Sequence, residues 1–283
     1  MQNYINLEPV DYLLIGHITK DITPGGYSLG GTATYSAMTA AALGLRVGIV
    51  TSFGPDLDLP DRPRIQVANL PSESTTTFRN TYSPAGRIQH VYSRAVTLEL
   101  SAVPEVWRDT PIVHLGPIMQ EVDPKLAHAF PNALVGLTPQ GWMRSVNGSG
   151  LVHYTDWPEA RYVLEGAQAA VFSIEDVQGN EAVIEDLIPS IRVMVVTEGA
   201  AGARLYWNGD LRTFKPPQVE EIDPVGAGDI FAAAFFIRMH QTRDPWEAAR
   251  FATQLAATSV TRPGVLGVPT EDEVKASLIT ILP

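Results

Sequence analysis

Eight consecutive apolar residues, Ile230-Phe231-Ala232-Ala233-Ala234-Phe235-Phe236-Ile237, constrain this chain more than any other stretch. A helix carrying them is apolar on every side, and such a helix must be buried. The run is far too short to cross a bilayer, which takes about 20 residues. It therefore belongs to the core of a globular protein. Directly ahead of it stands Glu221-Ile222-Asp223-Pro224-Val225-Gly226-Ala227-Gly228-Asp229. A small-residue turn thus feeds the start of a buried helix, with a carboxylate, Asp229, on its first turn.

The first turn of a helix has N–H groups without intrahelical partners, and the macrodipole adds partial positive charge there. Gly226, Ala227 and Gly228 carry little or no side chain, so an anion can approach their amides closely. That is a phosphate-type site. Asp229 beside it can take a proton from a hydroxyl. An anion cradle and an adjacent base are the two parts needed to move a phosphoryl group onto an alcohol. The plainer reading is a Gly-rich loop that allows close helix packing, with Asp229 as an N-terminal cap.

The rest of the chain reads as strands alternating with helices. Tyr12 to Gly16, Val47 to Val50, Pro111 to Gly116, Leu134 to Thr138, Ala169 to Phe172 and Val193 to Thr197 are short apolar runs of strand length. Thr32 to Leu43, Asp123 to Ala129, Pro158 to Gly166, Asn180 to Ile188 and Asp244 to about Val260 read as helices. The last opens on a capping box with Pro245 at its first position. Strand, excursion, helix, strand is the grammar of a parallel α/β sheet. Two stretches differ. Residues 72–100 read as two polar strands around Ser83-Pro84-Ala85-Gly86, an antiparallel edge or a small lid. Asn208-Gly209 marks a tight hairpin between Ala203–Trp207 and Leu211–Phe214.

Asp223-Pro224-Val225-Gly226-Ala227-Gly228-Asp229 resembles the second signature of the ribokinase-like (PfkB) carbohydrate kinases, with Pro224 in place of the usual Thr. Thr197-Glu198-Gly199-Ala200-Ala201-Gly202 is similar to the loop by which that family holds ATP, and Gly30-Gly31 before an Ala-rich helix to its first signature. The resemblance spans Leu13 to about Gly264. It implies an α/β fold, a ribokinase-like three-layer sandwich with a mostly parallel central sheet and a small β lid. One domain over 1–283 is expected, with lid segments roughly 18–30 and 72–100. The implied activity is an ATP- and Mg2+-dependent phosphotransferase acting on a hydroxyl of a sugar or polyol, most like the myo-inositol kinase branch.

The same resemblance implies roles residue by residue. Asp229 is the base, and Gly226, Ala227 and Gly228 form the anion hole. Asp21, Gly30, Gly31 and Asp229 bind the acceptor. Ser173, Thr197, Glu198, Gly199, Gly202, Gly226, Gly228 and Arg144 face the nucleotide, and Asp176 and Asp223 the metal. Ser173-Ile174-Glu175-Asp176 stands where the family carries Asn-x-x-Glu, so both ends of that motif depart. Arg144 reads equally well as a phosphate contact or a surface ion pair.

Several classes drop out. A net charge of −11 argues against nucleic acid as the main partner. With no cysteine there are no disulfides, thiolate chemistry or Cys-based zinc sites. Met1 to Val10 lacks a basic region followed by an apolar core, so a cytoplasmic protein without membrane contact is expected, and the family resemblance implies a monomer or a homodimer. The Walker pattern and His-Glu-x-x-His are both missing. Gly26-Tyr27-Ser28-Leu29-Gly30 fits a serine-hydrolase elbow, but Asp21 to Gly25 is a poor strand to precede one. Two alternatives stay open: a nucleoside or sugar-phosphate kinase of the same family, and a non-catalytic nucleotide or sugar sensor.

Overall fold

The computed structural model describes residues 7–83 and 86–278. Strand β1 (Tyr12–Ile15) is followed by a hairpin, β2 (Thr19–Thr23) and β3 (Gly26–Gly30), then helix α1 (Thr32–Ala42) and strands β4 (Val47–Phe53) and β5 (Ile65–Pro71). Next come β6 (Thr77–Ser83), β7 (Gly86–Ser93), β8 (Ile112–Leu115) and β9 (Leu134–Leu137). A short hairpin, β10 (Arg144–Val146) and β11 (Val152–Tyr154), leads to α2 (Ala160–Glu165), β12 (Ala169–Ser173), α3 (Glu181–Leu187) and β13 (Val193–Thr197). The hairpin β14 (Ala203–Trp207) and β15 (Asp210–Phe214) and helices α4 (Ala227–Thr242), α5 (Pro245–Ser259) and α6 (Glu271–Ser277) follow.

A nine-stranded sheet has the order β15-β14-β13-β12-β9-β8-β1-β4-β5. From β13 to β5 every pairing is parallel; β14 is antiparallel to both β13 and β15, so in this sheet β14 alone runs against the rest. The carboxyl ends of β1, β8, β9, β12 and β13 therefore share one edge, where open α/β sheets bind ligands. Strand alternation sends Tyr12 and Leu14 to one face and Leu13 and Ile15 to the other. Helices α1, α4 and α5 cover the first face through Ala33, Ala37, Phe231, Phe235, Phe251 and Leu255. The second face is covered by Trp107, Leu126, Val163 and Leu164, with Ile184 of α3 in a neighbouring cluster. Helices on both faces of a mostly parallel sheet make the expected three-layer sandwich.

The apolar octet lies in α4, and Ile230 to Ile237 are all buried. Each of its Phe rings contributes about 2 kcal/mol through burial. A separate four-stranded sheet, β3-β2-β6-β7, draws its strands from both expected lid segments. Its root is fixed by His17, whose Nδ1 meets Thr76 Oγ1 at 2.8 Å, and by the Lys20–Asp56 ion pair at 2.9 Å.

Some elements depart from the sequence reading. Residues 124–128 form a 3-10 turn rather than an α-helix, opened by Asp123 and Pro124. Asp21 to Thr23 lies in a true strand, because β2 pairs with β3 and β6. Ser28 pairs with Asp21 in the middle of β3 and not on the Gly30–Gly31 turn into α1, so it does not hold the elbow position. Strand β5 had no clear signal, since Gln66 and Asn69 interrupt its apolar residues. The expected turn residues Pro84 and Ala85 lie outside the described residues.

Candidate active site

Helix α4 begins at Gly226, whose φ of 81° and ψ of −6° are left-handed and suit glycine. A Cβ there would also overlap the Tyr35 ring. No side chain caps this end. The Gly226 and Gly228 amides donate to no group among the described residues, while Ala227 N–H reaches Pro224 O at 3.2 Å. The structure thus leaves two of the three expected anion-hole amides for a ligand. Asp229 is on the first turn, half-buried, and Ser36 Oγ of α1 donates to its backbone carbonyl at 3.0 Å. The first turns of α1 and α4 therefore meet at the sheet edge.

The acceptor-side residues also come together. Asp21 on β2 lies against Gly30, where a Cβ would overlap its carboxylate. Thr34 Oγ1 donates to Gly30 O at 2.6 Å, and Gly31 is the N-cap of α1. On the other half of the edge, Ser173 and Thr197 end the paired strands β12 and β13 and stand in register. Gly202, at φ 103°, has no room for a Cβ against Phe214 O.

Other expected residues are committed locally. Glu198 Oε1 sits 2.8 Å from Arg204 Nε as an ion pair without hydrogen-bond alignment, and Arg204 also binds Glu181. Asp176 completes a capping box with Ser173, and its other oxygen accepts from Gln140 Nε2 at 3.0 Å. Asp223 accepts from Val225 N–H at 3.0 Å and from Gly264 N–H, 41 residues away, at 2.7 Å. It is a loop clamp in this geometry. Arg144 is buried in β10, with Nη1 near Ile118 O at 3.4 Å, so it is not a surface side chain. No group of three or more His, Asp or Glu among the described residues could hold a metal. Magnesium readily binds through one or two carboxylates plus water and phosphate. Asp176 and Asp223 each accept one hydrogen bond at each oxygen and so keep lone pairs for such a role.

Sequence reasoning missed a buried chain beneath this edge. Tyr12 Oη meets His114 Nδ1 at 2.7 Å, and His114 Nε2 meets Thr138 Oγ1 at 2.9 Å. Burial pushes the Tyr12 phenol well above its usual range, and the Asp229 carboxylate adds to that. Burial also lowers the His114 pKa from 6.5 to about 3. The unfolded chain therefore binds more protons between those values, so stability from this group is whole above pH 6.5 and falls as pH drops toward 3. The slope is about 1.4 kcal/mol per pH unit. Thermal melts between about pH 7 and 4 should show the native protein losing stability faster than His114→Leu. Parallel slopes would mean that His114 protonates as readily folded as unfolded.

A cavity of about 520 Å3 opens between α1, β4 and β5. Leu29 and Thr34 bring it against Gly30, but neither Asp21 nor Asp229 lines it. It flanks the candidate site. No helix among the described residues is long and apolar enough to cross a membrane.

Residues 165–271 match the profile of the pfkB family carbohydrate kinases. Cytidine kinase of Thermococcus kodakarensis is 26% identical over 269 residues, which cover 87% of this chain and 95% of that protein. Inositol 3-kinase of rice, Oryza sativa subsp. japonica, is 37% identical over 79 residues, 28% of this chain and 19% of that one. Among solved structures, a pyrophosphate-dependent kinase in the ribokinase family, complexed with a pyrophosphate analog and myo-inositol, superimposes with a TM-score of 0.76. It is 20% identical and the match covers 94% of this chain and 99% of that chain, a likeness of fold.

Proposed function

Since the chain carries a pfkB-family carbohydrate kinase domain on the ribokinase fold, we propose that it transfers the terminal phosphoryl group of ATP to a hydroxyl of a sugar or polyol. The observation that carries this reading is Asp229 on the first turn of a buried helix whose start has no side-chain cap. In this reading Asp229 orients the acceptor hydroxyl and takes its proton. The Gly226 and Gly228 amides face the charge that builds on the transferred group. Gly30, Gly31 and Asp21 hold the acceptor, and Ser173, Thr197 and the turn to Gly202 the donor. Ile222 and Leu266, 61% and 66% exposed, flank the clamp of Asp223 to Gly264 and offer apolar surface to a nucleotide base. Magnesium, when bound with ATP, supplies neutralisation of the phosphate charge. The sheet β3-β2-β6-β7 acts as the lid of a single domain and excludes water, which competes as acceptor.

The acceptor is best sought among polyols, because the rice relative acts on inositol by its name. A nucleoside is the second reading, favoured by the cytidine kinase, whose similarity runs along most of this chain. Turnover should be measured with myo-inositol, ribose, fructose and cytidine, each with ATP and with pyrophosphate. We expect ATP-dependent phosphorylation of one polyol or sugar. Phosphorylation of cytidine alone would replace the acceptor, and turnover with pyrophosphate alone would replace the donor. Ligand binding with no turnover on any acceptor would make the protein a sensor.

A further inference from the structure

We propose that Tyr12, His114 and Thr138 form a positioning network for Asp229, bonded side chain to side chain across three adjacent strands and fixing the seat of helix α4. The inference rests on the reading of Asp229 as the base.

Strands β1, β8 and β9 lie side by side, and Leu14, His114 and Gly136 stand in register across them. The two bonds of His114, 2.7 Å to Tyr12 and 2.9 Å to Thr138, occupy both ring nitrogens. The ring cannot turn without breaking one of them. On its face toward the helices, the His114 ring packs edge-on against Phe236, with centroids 5.0 Å apart. Beside it, Gly136 has no side chain, and a Cβ there would stand 2.6 Å from the Phe236 ring. Phe236 is therefore wedged between a locked imidazole and bare backbone. It lies about two turns beyond Asp229, which puts the two on nearly the same face of α4. A shift of the His114 ring moves Phe236, and with it the height and rotation of the helix that carries the carboxylate.

The ends of the network also reach the site. A Cβ on Gly116 would stand 3.3 Å from Thr138 Oγ1 and would overlap Thr32 in the first turn of α1, so these two side chains close on the same bare backbone. Asp229 is close enough for its charge to act on the Tyr12 phenol. A buried polar trio with only a packing role is replaceable by apolar groups of similar shape at little cost. A trio that sets the place of a base is not, because small displacements of a reacting group cost much rate.

The test is steady-state kinetics with thermal melts on His114→Leu, Tyr12→Phe and the double variant. We expect kcat to fall about tenfold to a hundredfold in His114→Leu, with KM for ATP unchanged. The double variant should be no slower than His114→Leu, because residues that act as one unit are not additive. A native kcat, or losses that multiply in the double variant, overturns the network. Tyr12→Phe removes one oxygen and carries the test if His114→Leu does not fold. Asp229→Asn run alongside separates the two ideas. If that variant keeps full activity, the reading of the base fails. If it is inactive while His114→Leu is fully active, the network alone fails.

Discussion

Replacing Asp229 by Asn is expected to lower kcat about a thousandfold while leaving the fold intact. A positioned general base contributes a factor of about 100 to 10,000, and Asn keeps the size of the side chain without its proton affinity. The backbone bond from Ser36 to the Asp229 carbonyl does not involve the side chain, so the helix start should keep its place. Single-turnover kinetics with saturating ATP would read the chemical step directly. A variant that turns over within a few fold of the native enzyme would mean that another group takes the proton.

The second large effect is expected at Gly226. An alanine there must adopt a left-handed backbone, which costs about 1 to 2 kcal/mol, and its methyl overlaps the Tyr35 ring. The helix start can relieve the overlap only by moving, and its amides then lose their aim. Loss of one such donor costs about a hundredfold in rate, so Gly226→Ala should lose at least that much kcat/KM and also lower Tm. Gly228→Ala is the control for stability, since nothing lies within 4 Å of its added Cβ. Native-like rates for Gly226→Ala would remove the amides from the reaction.

The local grammar of this fold is legible wherever burial is total. Strands such as Val193–Thr197 are apolar on both faces and run between turn residues, so their type and place can be read directly. The α4 octet and the Asp244 cap are equally plain, because each is a contiguous signal. The half-exposed strands are not. Lys20-Asp21-Ile22 is a strand only because β6 and β3 lie on either side of it, a fact of tertiary pairing. The candidate site divides in the same way. Gly226 to Asp229 is contiguous and could be found as a motif. Asp223 as a clamp, Tyr35 against Gly226, and the His114 chain each join residues far apart in sequence, and a lone buried histidine carries no local mark of its partners.

The clamp has a dynamic consequence. Ile222 and Asp223 N–H both reach Val260 O, and the Asp223 carboxylate holds Gly264, so the chain from α4 through α5 is closed on itself at its base. A segment tied in this way opens as a whole or not at all, and such units lie at the slow end of native-state opening. The hairpin β2–β3, with β3 largely exposed, is held at its root by the Lys20–Asp56 pair and along β6. On the proposed reading, the motion that admits and releases small molecules is expected on the side of the exposed β3, while the helix bearing Asp229 keeps still.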